Sequence, residues 1–248
     1  MGIQAVLAPP EQVAPFRELY RHEMGCQIVS DSYLRRGFSD AYLLSDGSNV
    51  AGYGLVTCRD DPGMLHEYHV FPAYRSESLP LFRQLLEVSR ASRVRAQTND
   101  RDLLLRLLDC CTKTHAEAVL FEDAYTTRLE LGAGLLRRTT EDDRKTIFEH
   151  RSEPVGEWMV EQDGVAVATG GALHHYNPPY ADLYMEVEES HRRQGLGSYL
   201  IQELKKMCYE GGKVPAARCD AGNTASRRTL QKAGMLPCAR ILVGEVDR

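Results

Sequence analysis

Apolar residues recur along the chain with two periods, and the switches between those periods mark its elements. Alternation over 4–7 predicts a first strand that Pro9-Pro10 ends; Val13, Phe16, Leu19 and Tyr20 then line one face of a helix over 11–24. Runs at 41–44 and 50–56 flank Asp46-Gly47 as the strands of a hairpin would. Strands are predicted at 64–71, 94–97 and 118–121, with amphipathic helices at 79–88 and 102–110 between them. From 132 to 154 the pattern is charged and weakly periodic, with Glu141-Asp142-Asp143-Arg144-Lys145 at its centre. Beyond it the series returns: strands at 157–160 and 165–174 around Asp163-Gly164, a strand at 182–187, a helix at 197–208, a strand at 216–219, a helix at 224–233 and a strand at 239–246.

The recurrence extends to residues. Val70-Phe71-Pro72-Ala73-Tyr74-Arg75 aligns without a gap on Val187-Glu188-Glu189-Ser190-His191-Arg192, and each stretch leads into a helix. Two diverged copies of one unit are therefore expected, over 1–136 and 155–248, with 137–154 as the linker. In the second copy the loop continues Arg193-Gln194-Gly195-Leu196-Gly197-Ser198. Its glycines let backbone N–H groups approach a ligand closely, and the helix start adds unpaired amides and the positive end of the helix dipole. A phosphate or pyrophosphate fits there, with Arg192 and Arg193 alongside. The first copy has Ser78 and Pro80 in place of the two glycines, and Pro80 has no N–H to offer, so that copy is expected to have lost the site.

Composition narrows the ligand. A net charge of -5, with Arg35-Arg36, Arg192-Arg193 and Arg227-Arg228 as isolated pairs, lacks the basic face of a nucleic-acid binder and suits a small anion. No run approaches the roughly 18 apolar residues of a membrane span, and Met1-Gly2-Ile3-Gln4-Ala5 has neither an export signal nor a myristoylation pattern. Seven cysteines without metal-ligand spacing fit reduced thiols. A cytoplasmic protein is expected, with no metal and no nucleic-acid or membrane partner; the oligomeric state is open.

Arg192-x-x-Gly195-x-Gly197, set between a strand and a helix, resembles the pyrophosphate-binding pattern of the GNAT superfamily of N-acetyltransferases. Asn223-Thr224-Ala225-Ser226 followed by Leu230-Gln231-Lys232-Ala233-Gly234-Met235 is similar to the family signature on the helix beside the pantetheine arm. Asn223, Ser226 and Gly234 match it, and Met235 replaces a phenylalanine. Leu230 stands where many relatives carry the tyrosine that protonates the departing CoA thiolate. With the internal repeat, the resemblance implies tandem GNAT-like folds, α/β with a mixed sheet, the N-terminal copy degenerate. It further implies acetyl-CoA as donor and direct attack by an amine without a covalent enzyme intermediate. The amides of Gln194, Gly195, Leu196, Gly197 and Ser198 would hold the pyrophosphate, with Arg192, Arg193, Asn223 and Ser226 as further cofactor contacts. The main chain of Val187 would pair with pantetheine where two strands splay, its N–H polarising the thioester.

Such a reaction also needs a base for the ammonium and an acid for the thiolate. Along the strand entering the loop, Leu183, Met185 and Val187 share one face and Asp182, Tyr184 and Glu186 the other. A sheet covered by helices has no use for an acidic face, so this face is expected to open onto the acceptor. Glu186, closest to the splay, is the first candidate base, followed by Asp182 and His174; Tyr184, Ser226 or water could supply the acid. The pair His174-His175 lacks further ligands at metal spacing, Cys219 reads as a small buried hydrophobe, and Trp158 as a core or pocket wall.

The expected activity is an acyl-CoA-dependent N-acyltransferase acting on a small primary amine. Two other readings stand beside it: a protein amine as acceptor, and a module that binds acyl-CoA without turnover, raised by Leu230 and the lost first site. A Rossmann-type dinucleotide site lacks its Gly-x-Gly-x-x-Gly and acidic ribose partner.

Overall fold

Nearly every periodic run becomes the element expected of it in the computed structural model, which describes residues 2–24, 31–151, 153–174 and 178–247. The chain divides into two units, Met1–Ala118 with Ala239–Arg248, and Val119–Cys238.

The first unit opens with β1 (Ile3–Ala8), α1 (Pro10–Met24) and the short α2 (Asp31–Arg35). The hairpin of β2 (Ser39–Asp46) and β3 (Asn49–Thr57) turns at Gly47, whose φ of 62° is the left-handed geometry that the Asp-Gly signal anticipates. Then come β4 (Met64–Val70), a 3₁₀ turn at Pro72–Glu77, α3 (Ser78–Ser89), β5 (Arg93–Gln97) and α4 (Arg101–Cys110). The chain leaves along β6 (Cys111–Asp123), far longer than the predicted strand, which begins in the first unit and ends in the second.

The second unit contains β7 (Leu135–Arg138), β8 (Trp158–Gln162), β9 (Val165–Leu173) and β10 (Tyr180–Val187). After a 3₁₀ turn at Glu189–His191 come α5 (Leu196–Glu210), β11 (Val214–Asp220) and α6 (Thr224–Lys232). On α5, Leu196, Leu200, Ile201, Leu204 and Cys208 form one buried stripe against the sheet. The last strand, β12 (Met235–Val246), starts in the second unit and from Ala239 belongs to the first.

Strand order is β1-β2-β3-β4-β5-β12 in the first unit and β6-β11-β10-β9-β8-β7 in the second. The strand that follows α4 in sequence therefore lies beside β11, and the strand that follows α6 lies beside β5, where Ile241 pairs with Gln97 and Glu245 with Arg93. Residues 137–154, expected to link the halves, lie inside the second unit. Arg137 and Arg138 are part of β7, and Arg137 is bonded to Asp143 at 2.7 and 2.8 Å and to Glu161 at 2.6 Å. Ion pairs rather than an apolar face organise that stretch, which is why it carries no period.

One predicted core position moves to the surface. Leu19 is exposed, and Arg17 takes the inward place on α1. Its Nε and Nη2 donate to the two carboxylate oxygens of Glu67 on β4 at 2.7 and 2.9 Å, and Tyr53 Oη donates to Glu67 Oε1 at 2.7 Å. Arg17 also bonds Asp31, which Arg21 and Arg35 reach as well. Burial works against the Arg17 charge, but Glu67 and Asp31 outweigh it and hold its pKa above the ordinary arginine value. A pattern that counts arginine as polar and exposed cannot see this arrangement.

Because Thr98 N–H donates to Arg240 C=O while Arg93 N–H donates to Gly63 C=O, alternation turns the Val94, Ala96 and Thr98 amides toward β12, and cutting the chain after Cys238 should leave these three without protection. Hydrogen exchange on the truncated protein should be at least about tenfold faster at these amides, while the Ala168–Leu173 amides of β9 change little.

Candidate functional site

The site begins where one β-ladder stops. β10 and β11 run parallel through Tyr180↔Val214, Ala181↔Pro215, Asp182↔Ala216 and Leu183↔Ala217, and no further pairs follow, although β10 continues to Val187 and β11 to Asp220. On its other side β10 stays paired with β9 as far as Val187↔Ala168. Glu188 N–H donates to Val167 C=O at 2.9 Å, so alternation turns the peptide groups of Glu186 and Tyr184 toward β9, and those of Met185 and Val187 toward the gap that β11 leaves. Arg192 Nε donates to Val187 C=O at 3.2 Å, leaving the N–H groups of Met185 and Val187 as donors directed at that gap.

The loop beyond is shaped by its two glycines. Gly195, the residue preceding α5, has a φ of 90°. The first ladder bond of the helix runs from Tyr199 N–H to Gly195 C=O at 3.0 Å, so the amides of Gly195, Leu196, Gly197 and Ser198 lie outside the helical ladder. A Cβ on Gly197 would stand 3.1 Å from both Met185 Sδ and Thr229 Cγ2 and 3.3 Å from Val187 Cγ2, which is why α5 can start this close to β10. Arg192, Arg193 and Gln194 are exposed on the loop, Arg193 with a φ of 64°. Glu188 folds back on Ser190 and His191, whose hydrogen bonds bring its carboxyl down to about 2. Sequence reasoning passed over Lys232, whose Nζ lies 3.5 Å from where a Cβ on Gly195 would be.

The other signature residues have plain structural duties. Asn223 caps α6, its Oδ1 accepting Ser226 N–H at 2.9 Å. Leu230 is buried in the core of the second unit. Gly234 has a φ of 86°, and its C=O accepts from Ala124 and Tyr125 N–H, both at 3.1 Å; any Cβ there would come within 2.1 Å of Tyr125 C=O. Ser226 is partly buried near Cys219, whose thiol burial pushes up.

Asp182, Tyr184 and Glu186 do share one face of β10, but that face is covered. Residues 148–151 and 153–156 pass over it: Arg151 N–H donates to Glu186 Oε1 at 2.9 Å and Glu153 N–H to Glu186 Oε2 at 3.4 Å. Glu186 is 9% exposed, and His150 Nδ1 lies 3.8 Å from its Oε2. Asp182, buried, takes Arg218 Nε at 3.2 Å on Oδ2, while its Oδ1 has no hydrogen-bond partner among the described residues. Burial, opposed by Arg218 and reinforced by Glu153, pushes the Asp182 carboxyl up to about 7. Burial raises Glu153 too, against Arg218, with Glu186 and Asp220 adding to the shift. Tyr184 lies across its partner Gly171, where a Cβ would come 2.7 Å from the hydroxyl; burial and the nearby Glu157 and Glu153 raise the phenol. His174 is exposed just past Leu173, the partner of Asp182, and His175 falls outside the described residues. Trp158 is a partly buried wall residue with Arg138 5.2 Å above its ring.

Residues 120–235 match the model of the acetyltransferase (GNAT) family. The chain carries a GNAT domain. Over its full length it is similar in fold to a GNAT-family acetyltransferase from Colwellia psychrerythraea, at 16% identity and a TM-score of 0.76, covering 100% of both chains. A tandem GNAT protein from the clavulanic acid biosynthesis pathway has 13% identity and a TM-score of 0.68 over 99% of each chain. A GCN5-related N-acetyltransferase from Sphaerobacter thermophilus has 14% identity and a TM-score of 0.64 over 99% of this chain and 96% of that one. No curated protein sequence matches the chain.

The GNAT domain suits an acyl-CoA on its own geometry. The amides outside the α5 ladder, the space kept by Gly197 and the strand gap beside Val187 N–H form a continuous series from an anion site to a carbonyl donor. The first unit keeps the strand break but not the loop. Its parallel β4–β5 pairs stop at Leu65↔Val94 while β4 runs on to Val70. There Tyr68 Oη donates to Ser78 C=O at 2.6 Å and Ser78 Oγ to Asp102 Oδ1 at 3.1 Å, which sets a carboxylate near the helix start. Tyr20 Oη donates to buried Asp100 at 2.8 Å.

Two predictions follow from the geometry of the second unit. Gly195→Val, forced into a left-handed φ, should weaken acyl-CoA binding by at least about tenfold in calorimetry, leaving the fold intact. The raised Asp182 carboxyl stabilises the fold when protonated. That contribution is full below the unfolded aspartate value of about 4 and is lost as pH rises through about 7. Urea midpoints followed by Trp158, the one tryptophan, should fall from pH 5 to pH 8, and less steeply in Asp182→Asn.

Proposed function

We propose that the protein is an N-acetyltransferase that moves an acetyl group from acetyl-CoA to the primary amine of a small molecule, with one working site, in the second unit. The observation that carries this is the end of the β10–β11 ladder at Leu183↔Ala217, which leaves Val187 N–H beside the unladdered amides of α5.

In this reading Gln194 to Ser198 hold the pyrophosphate by their amides, and Arg192, Arg193 and Lys232 supply positive charge around it. Val187 N–H polarises the thioester carbonyl. The amine nitrogen forms a bond to that carbon, the C–S bond breaks, and the nitrogen proton passes to a carboxylate. Glu186 already accepts two backbone N–H groups, whereas Asp182 has an oxygen without a hydrogen-bond partner among the described residues and titrates near neutrality, so the proton goes to Asp182. Water relays it, because five residues of strand, about 16 Å, separate Asp182 from Val187. Asp182 and Glu153, facing the single guanidinium of Arg218, also favour a cationic acceptor. The thiolate can take its proton from Tyr184, whose raised phenol keeps it at neutral pH, or from Ser226. The first unit, with Asp102 and Ser78 at its helix start, serves in this reading as a non-catalytic copy.

The test is release of CoA thiol from acetyl-CoA over tyramine, putrescine, glycine amide and lysine methyl ester. Asp182→Asn should lower kcat/KM for the acceptor by about 100-fold or more, Glu186→Gln by less, and the wild-type profile should rise with pH through about 7. Tight acetyl-CoA binding with no amine-dependent thiol release would instead favour the non-catalytic binding module. Transfer to lysine methyl ester alone would point toward a protein amine.

A further inference from the structure

Residues 148–151 and 153–156 contain a hydrogen-bonded chain that the acyl-transfer reading does not use. Gly156 N–H donates to Thr169 Oγ1 on β9 at 3.2 Å. Thr169 Oγ1 and His150 Nε2 are 3.1 Å apart, and His150 Nδ1 lies 3.0 Å from Glu153 C=O. A carbonyl only accepts, so Nδ1 carries a ring proton, and on the neutral ring Nε2 accepts the hydrogen of the Thr169 hydroxyl. The order of donation is then complete: Gly156 N–H to Thr169, Thr169 O–H to His150, His150 Nδ1–H to Glu153 C=O. Phe148 stacks on the imidazole at 4.8 Å and 19°. At the far end Gly156 lies flat on β9, where a Cβ would overlap Gly170 C=O at 2.1 Å.

What this chain fastens is the cover of the acceptor face. Residues 151 and 153 give their amides to Glu186, and the Glu153 side chain faces Asp182 and Arg218. Thr169 is wholly buried and pairs directly with Glu186 across β9 and β10, so the anchor and the carboxylate it serves share one rung of the sheet. We infer that His150 is a positioning residue for the acceptor side of the site: tied to Thr169, it holds the backbone of residues 151 and 153 on Glu186 and so sets the place of the Glu153 carboxyl opposite Asp182. Glu186 is in this arrangement the peg that receives the cover. The inference rests on the acyl-transfer reading with Asp182 as base, and its specificity consequence is that this cover, rather than the cofactor loop, selects the amine.

The test compares His150→Ala, Thr169→Val and Thr169→Ser with the wild-type protein. Thr169→Val keeps the volume but removes the hydroxyl that links Gly156 to His150; Thr169→Ser keeps the hydroxyl. His150→Ala and Thr169→Val should each raise the acceptor KM by about tenfold, measured with the fastest amine of the four named above. They should also move the midpoint of the kcat/KM profile downward, as water reaches Asp182, with Arg218, Glu153, Glu186 and His150 as the charged or titratable groups about it. Thr169→Ser should stay within about threefold of wild type. The calorimetric dissociation constant for acetyl-CoA should be unchanged in all three, and amide exchange at Arg151 and Glu153 should accelerate in the first two. Unchanged exchange at those amides in His150→Ala and Thr169→Val overturns the inference whatever the turnover. So does an unchanged acceptor KM and pH midpoint, or a parallel loss of acetyl-CoA affinity. Failure of the acyl-transfer reading shows separately, as no amine-dependent thiol release by the wild type.

Discussion

The second unit depends on a parallel ladder that is broken off early. Had β10 and β11 stayed in register past Leu183↔Ala217, the peptide groups of Met185 and Val187 would be spent on the sheet. A buried strand edge without partners is costly, and a fold keeps one where something else is to use it. Gly197 lets α5 close over Met185 and Val187 on one side of the break, while the acidic face of β10 is covered on the other. The GNAT motif is the sequence trace of the first of these arrangements only.

How much was legible follows from that difference. Strands and helices buried on one face announce themselves by period, and both Asp-Gly hairpins turn where expected, Gly164 with a φ of 78°. Gly195, Gly197 and Gly234 were readable because only glycine meets their conformational or steric demands. The cover over Glu186 was not readable. Its fastening is side chain to backbone, through His150, Thr169 and Gly156, and such bonds leave no period in a sequence. The charged stretch 137–154 reads as a linker, whereas Arg137 and Asp143 use their charge to order it. Arg17 and Leu19 exchanged places for a similar reason, since a bidentate pair with Glu67 makes an inward arginine tolerable.

The two units differ on the strand that leads into the loop. At the repeat position of Glu186 the first unit has His69, buried among the rings of Tyr20, Tyr53 and Phe71, and the preceding Glu67 is locked to Arg17. On that face Glu67 is taken up by Arg17 and Tyr53, while His69 Nε2 has no hydrogen-bond partner among the described residues. In the second unit Asp182 keeps an oxygen that nothing described satisfies, and retaining it lowers stability at neutral pH.

The exchanged strands bear on the order in which the protein can come into being. All of Val119–Cys238 is continuous in sequence, and its sheet can be complete as soon as that segment has been made. The first unit, though its β1 to β5 emerge first, must wait for Ala239 and the residues after it before β5 has its neighbour. During synthesis the half without the acyl-CoA loop is thus the last to close, and an unpaired β5 edge is open to the surroundings throughout. A ribosome that stalls late would release a chain whose second unit is finished and whose first is not.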